Sequence, residues 1–69
     1  MGYVVMDSSR VRELREEKGM TRRDLAGAAG ISAETVRRAE REKPVRFSSG
    51  RAVDEALGVE PSRDLGRVL

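Results

Sequence analysis

The 69 residues make one domain at most, with a core near the lower limit for folding without staples. Cysteine and histidine are both absent, which excludes a disulfide framework, a thiol nucleophile, the usual general base and the usual metal ligand. Of the formal +2 charge, the basic excess lies early: residues 9–46 carry eleven Lys or Arg against seven Asp or Glu, and residues 47–69 carry three against four. This balance suits a phosphate-bearing partner, and it equally suits a solvated surface that keeps a small domain soluble. The chain reads as a non-enzyme that needs no cofactor and no metal.

The opening apolar stretch GYVVM, residues 2–6, is too short for a membrane span or a signal-peptide core, so a cytoplasmic protein is expected. Tyr3, Val4 and Val5 favour extended backbone, so residues 1–8 form an N-terminal tail or a short strand, the tail being preferred. The domain proper spans residues 9–69. Its first helix is expected over 10–18, with Ser9 as cap, Val11 and Leu14 as an apolar stripe and Gly19 as the left-handed stop.

A second helix follows, opened by Thr21 with Asp24 three residues on as a shortened capping box, and closed by Gly30. Leu25, Ala26 and Ala29 face inward. Gly27 inside it costs about 1 kcal/mol relative to alanine, which implies exposure or a close neighbour. The third helix starts at the cap Ser32 and turns Val36 and Ala39 inward, leaving Ala33, Glu34, Arg37, Arg38 and Arg41 outside. Pro44 forces Lys43 toward extended geometry, so KPVRF reads as a loop. Ala52, Val53, Ala56 and Leu57 then form the face of a fourth helix closed by Gly58, and Leu65, Val68 and Leu69 that of a fifth beginning near Ser62.

The run LAGAAGISAETVRRAE, residues 25–40, joins the second and third helices in a particular way. Two helices cross closely over a three- or four-residue turn only if the contact residues are small and the turn accepts positive φ. Ala26 and Ala29 give the close approach, Gly30 the turn and Ile31 the corner plug. The product is a helix-turn-helix that holds the helix from Ala33 to Arg41 proud of the body.

At SSRVRELREEKGMTRRDLA, GISAETVRRAE and ALGVEP, in that order, the chain resembles the lambda-type phage repressor and Cro DNA-binding domains, the xenobiotic-response-element class of helix-turn-helix. The resemblance runs from about Ser9 to Leu65. It implies an all-α, five-helix lambda-repressor-like bundle that binds double-stranded DNA and acts as a transcriptional repressor or regulator, with helix 33–41 in the major groove. It also implies an internal ion pair between Arg15 and Glu40, and a second helix whose start, Thr21 and Arg22, points at a phosphate. Where the family usually has glutamine this chain has Arg22, a charged donor able to reach phosphate with two N–H groups.

Ser32, Ala33, Glu34, Thr35 and Arg38 match the family's recognition positions, although Ala33 and Glu34 stand where amide residues are common. By chemistry, Arg38 suits a bidentate contact with guanine and the methyls of Ala33 or Thr35 suit a thymine methyl. Glu34 has two readings, acceptor from cytosine or helix-end charge paired with Arg37 or Arg38. Thr21, Arg22, Ser32, Arg37, Arg41, Lys43 and Arg46 are the expected phosphate contacts. Phe47 is expected as a core anchor, and Asp54 replaces the family's frequent alanine in the fourth helix. A homodimer on DNA is the family's habit, with Leu65, Val68 and Leu69 or the YVV segment as the contact. Two rival readings remain: an antitoxin or adaptor module that binds a partner protein, and a phage excisionase or MerR-like factor, for which KPVRFSSG makes a poor wing.

Overall fold

A computed structural model describes residues 2–59 and 66–68. The elements run β1 (Tyr3–Met6), α1 (Ser8–Glu17), α2 (Arg22–Ala29), α3 (Ala33–Ala39), β2 (Val45–Arg46), α4 (Phe47–Ala56) and β3 (Gly66–Val68). The four described helices bear out the mainly helical reading, but a small antiparallel sheet in the order β2-β1-β3 accompanies them.

That sheet corrects three expectations. Residues 3–6 are a strand and not a frayed tail, since Val4 and Met6, two apart, put both side chains on one face and bury them to 4% and 1% exposure. Residues 45–46, expected as loop, pair with β1, with Val4 opposite Val45 and Tyr3 opposite Arg46. Residues 66–68, expected in a fifth helix, pair with the other edge of β1, with Val4 opposite Val68. A central strand offers two rows of backbone donors and acceptors, and β2 and β3 satisfy them. The remainder of the fifth helix, at 62–65 and 69, lies outside the described residues.

The helix ends follow local chemistry. Asp7 and not Ser9 caps α1, its carboxylate accepting from the Arg10 amide at 3.2 Å. The Ser8 hydroxyl works at longer range, donating to the Ala39 carbonyl at 2.6 Å and accepting from the Glu42 amide at 2.7 Å, which ties the start of α1 to the end of α3. The capping box at Thr21 and Asp24 forms in both directions, at 3.0 and 2.9 Å. Its hydrogen bonds hold the Asp24 carboxyl below the usual carboxylate range. Gly30 adopts φ +70°, a left-handed turn that brings the Ile31 amide to the Ala26 carbonyl at 3.0 Å.

One core serves both halves. Val11, Leu25, Ala26, Val36 and Ala39 from the first three helices join Val4, Met6 and Val45 from the sheet and Val53 and Leu57 from α4 and its end. Gly50 lets α4 lie on β1: a Cβ there would stand 2.8 Å from Val4 Cγ2 and 3.1 Å from Met6 Sδ. Asp54 is buried in the same helix, its backbone carbonyl accepting from the Val59 amide at 2.9 Å. Phe47 is not the anchor expected of it, being 44% exposed. Val45, two residues earlier on β2, is the buried apolar residue at this end of α4.

Candidate nucleic-acid interface

The exposed face of α3 is set by what its other face buries. Val36 and Ala39 lie in the core, so Ala33, Glu34, Arg37 and Arg38 stand in solvent and Thr35 at the margin. Ser32 starts the helix: its hydroxyl accepts from the Thr35 amide at 3.1 Å and shares a 2.9 Å hydrogen bond with the Thr35 hydroxyl. The Ser32 oxygen is therefore partly committed to capping. The helix ends at Ala39, two residues short of the expected Arg41.

Glu40, the cap at the end of α3, is the hub that fixes this helix to the others. Its side chain is 1% exposed and receives Arg15 Nε at 2.7 Å and Arg15 Nη2 at 3.3 Å. Arg15 also donates to the Met20 carbonyl at 2.8 Å, which satisfies the other arm of the fork. The expected Arg15–Glu40 pair is thus present. Two further arginines share the carboxylate: Arg22 Nε lies 3.1 Å and Arg12 Nε 3.7 Å away, both side chains about half exposed. Burial, the largest single influence on Glu40, works against its charge, but the hydrogen bonds and charges of Arg15 and Arg22 together outweigh it and hold the carboxyl below its ordinary value. The hydrogen bond from Arg15 to Glu40 likewise raises Arg15 above the ordinary arginine value.

Apart from Ser32 and Arg37, which lie on α3 itself, the expected phosphate residues fall in two groups. Thr21 and Arg22 lie at the start of α2, where Glu40 steadies the Arg22 guanidinium while leaving about half of its side chain in solvent. Arg12, absent from the residues expected on sequence grounds, joins this group. Its position one turn before Arg15 on α1 is the signal that points to it. Arg41, Lys43 and Arg46 form the second group, exposed on the segment that leaves α3 through Glu42 at φ +57°.

Arg38 bridges the helix and that segment. Its Nη2 and Nε donate to the Pro44 carbonyl at 2.9 and 3.3 Å. Part of its donor fork is therefore occupied by the protein's own backbone. Glu34 lies 3.9 Å from Arg37 Nε, both well exposed, which gives its helix-end charge reading a partner in the fold. Such an exposed pair is worth only about 0.3–0.5 kcal/mol, so base recognition can readily displace it. The KPVRFSSG segment forms no wing hairpin, because Val45 and Arg46 pair with β1 and Phe47 begins α4. The YVV segment is the central strand, pairing with β2 at Tyr3 and Val4 and with β3 from Val4 to Met6.

Among the described residues no group of three or more His, Cys, Asp or Glu could hold a metal, and no helix is long and apolar enough to cross a membrane.

Comparison with known proteins gives the arrangement its context. The helix-turn-helix family model matches residues 11–63. An HTH-type transcriptional regulatory protein of Archaeoglobus fulgidus is 36% identical over 56 residues, 81% of this chain, and the chain spans 18% of that relative's length. Among solved structures, the restriction-modification controller protein C.AhdI from Aeromonas hydrophila is 32% identical with a TM-score of 0.72, covering 81% of this chain and 86% of that one. The controller C.Esp1396I is 27% identical with a TM-score of 0.69 over 80% of this chain and 73% of its own. The transcriptional regulator VanUg shares the fold across 100% of this chain and 89% of its own, at 21% identity and a TM-score of 0.64. The chain belongs to the xenobiotic-response-element type of helix-turn-helix DNA-binding domains.

Proposed function

We propose that this protein binds double-stranded DNA sequence-specifically, with α3 in the major groove, and regulates transcription. The observation that carries the reading is the Glu40 hub: a buried carboxylate held by three arginines fixes α3 against α1 and α2 while its opposite face stays exposed. A rigidly held helix with a solvent-facing side is what base recognition requires. The likeness to controller proteins of restriction-modification systems supports a regulator of this size. Ala33, Glu34, Thr35 and Arg38 are the proposed base contacts. Thr21, Arg22, Ser32, Arg37, Arg41, Lys43 and Arg46 are the proposed phosphate contacts, which position the protein without carrying sequence. Two copies on inverted half-sites about one helical turn apart are the proposed assembly, acting in the cytoplasm.

The test is selection from a random duplex library at near-physiological salt. An enriched motif is the expected result, and inverted copies about a turn apart mark a dimer. No enrichment, with binding that vanishes as salt rises, contradicts the reading and leaves only non-specific electrostatics. On the enriched duplex, Arg38→Ala is expected to lose about 1–3 kcal/mol at one or two base pairs. A loss equal on every sequence makes Arg38 a phosphate contact instead.

A further inference from the structure

The register between β1 and β2 has a consequence for the recognition face. Tyr3 stands directly opposite Arg46 across the ladder, and both border a hollow of about 200 Å³ that also takes in Thr35 and Arg38 of α3, Pro44 and Val45, and Ser49 of α4. This is below the roughly 300 Å³ at which pockets for drug-sized ligands begin. Among the described residues the lining holds two guanidinium groups and three hydroxyl-bearing side chains and no carboxylate. Such a set favours a small anion with several acceptor oxygens.

Three features make the hollow a built one. The sheet fixes Tyr3 and Arg46 to each other, and the hydrogen bonds from Arg38 to the Pro44 carbonyl fix the recognition helix to the same segment. Ser49 lies in the first turn of α4, a helix that starts without a side-chain cap. Tyr3 remains 52% exposed although Val4 and Met6 of the same strand are in the core.

We infer that this hollow seats one backbone phosphate of the DNA, flanking the groove that α3 enters, with Arg46 supplying charge and Tyr3 supplying a neutral hydrogen bond to the same group. The inference rests on the DNA-binding reading. It adds the N-terminal strand, through Tyr3, to an interface otherwise made of helices, the segment after α3 and β2. It also gives Arg38 a second role, holding the Pro44 segment so that the seat stays open beside the recognition helix.

The experiment compares wild type, Tyr3→Phe, Arg46→Gln and the double variant on the duplex most enriched by wild type, measuring affinity across a salt series, with thermal melts to establish that each variant is folded. Arg46→Gln is expected to weaken binding and to make the log–log salt slope shallower by about 0.9, the change for one neutralised phosphate. Tyr3→Phe is expected to weaken binding by about 2- to 10-fold with the slope unchanged, because a tyrosine hydroxyl carries no charge. The double variant is expected to lose less than the product of the two, since both groups serve one phosphate. Wild-type affinity in Tyr3→Phe, or losses that multiply independently, overturn the shared seat while leaving DNA binding intact. Failure of wild type to bind any duplex specifically overturns the functional reading and the seat together.

Discussion

The two sides of this small domain are held by different forces. On the side of α1, α2 and α3 the decisive contacts are polar: Glu40 with its three arginines, and Ser8 between the Ala39 carbonyl and the Glu42 amide. On the side of the sheet and α4 they are apolar and close, with Gly50 lying on Val4 and Met6. The difference teaches where each kind of perturbation acts. Charge and pH act on the side that presents α3, and volume acts on the side that carries it.

The largest effect separating the two is expected from Glu40→Ala. It strands the Arg15 guanidinium, 10% exposed, while Arg12 and Arg22 can turn to water, so a loss near about 3 kcal/mol is expected in chemical denaturation. A loss below about 1 kcal/mol would show that the hub contributes no more than a surface pair does.

Next comes Gly50→Ala. A methyl at 2.8 Å from Val4 Cγ2 forces β1 away from α4, and about 1–3 kcal/mol of destabilisation is expected. The two substitutions sharpen the comparison by their response to pH. Because Glu40 is held below its ordinary value in the fold, its contribution is fully present above the unfolded carboxylate pKa, about 4.3, and fades as pH falls through the lower folded value. The acid sensitivity of Gly50→Ala is therefore expected to match that of wild type, whereas Glu40→Gln loses stability near neutral pH and shows a flatter acid limb. Equal acid limbs in wild type and Glu40→Gln contradict the assignment.

The smallest effect has the opposite sign. Gly27 lies on the exposed side of α2 with nothing within 4 Å of where a Cβ would be. Gly27→Ala is expected to raise stability by up to about 1 kcal/mol through helix propensity alone, measured as a rise in melting temperature.

The legible parts of the fold are those governed by neighbours in sequence. Thr21 with Asp24, Ser32 with Thr35, and the positive φ of Gly19 and Gly30 act within four residues, and the spacing alone places α2, the turn and α3. The strand at Tyr3–Met6 is not legible, because four residues carry too little periodicity to separate a strand from a tail. What decides it lies far along the chain, in the approach permitted by Gly50 and in the pairing with Val45 and Val68. Phe47 misleads for a related reason: its type suits a core, but the buried apolar residue at this end of α4 is Val45, two residues earlier.

The site divides in the same way. The outward set on α3 follows from which residues its inward face claims, and the Arg15–Glu40 pair, 25 residues apart, is reachable through family resemblance. That Arg12 and Arg22 share the same carboxylate, and that Arg38 reaches back to Pro44, depends on three-dimensional proximity that no local pattern encodes.

The proposed DNA interface spans the arginine-braced side and the adjoining β1–β2 corner, and leaves out the far edge of the sheet at β3. Backbone amide chemical shifts of labelled protein, titrated with the duplex selected by wild type, test it most directly. The largest changes are expected at residues 32–38, at Arg22, at Lys43 and 45–49 and at Tyr3, with little change at 52–57 and 66–68. Large changes confined to the latter segments, with α3 unmoved, would contradict it.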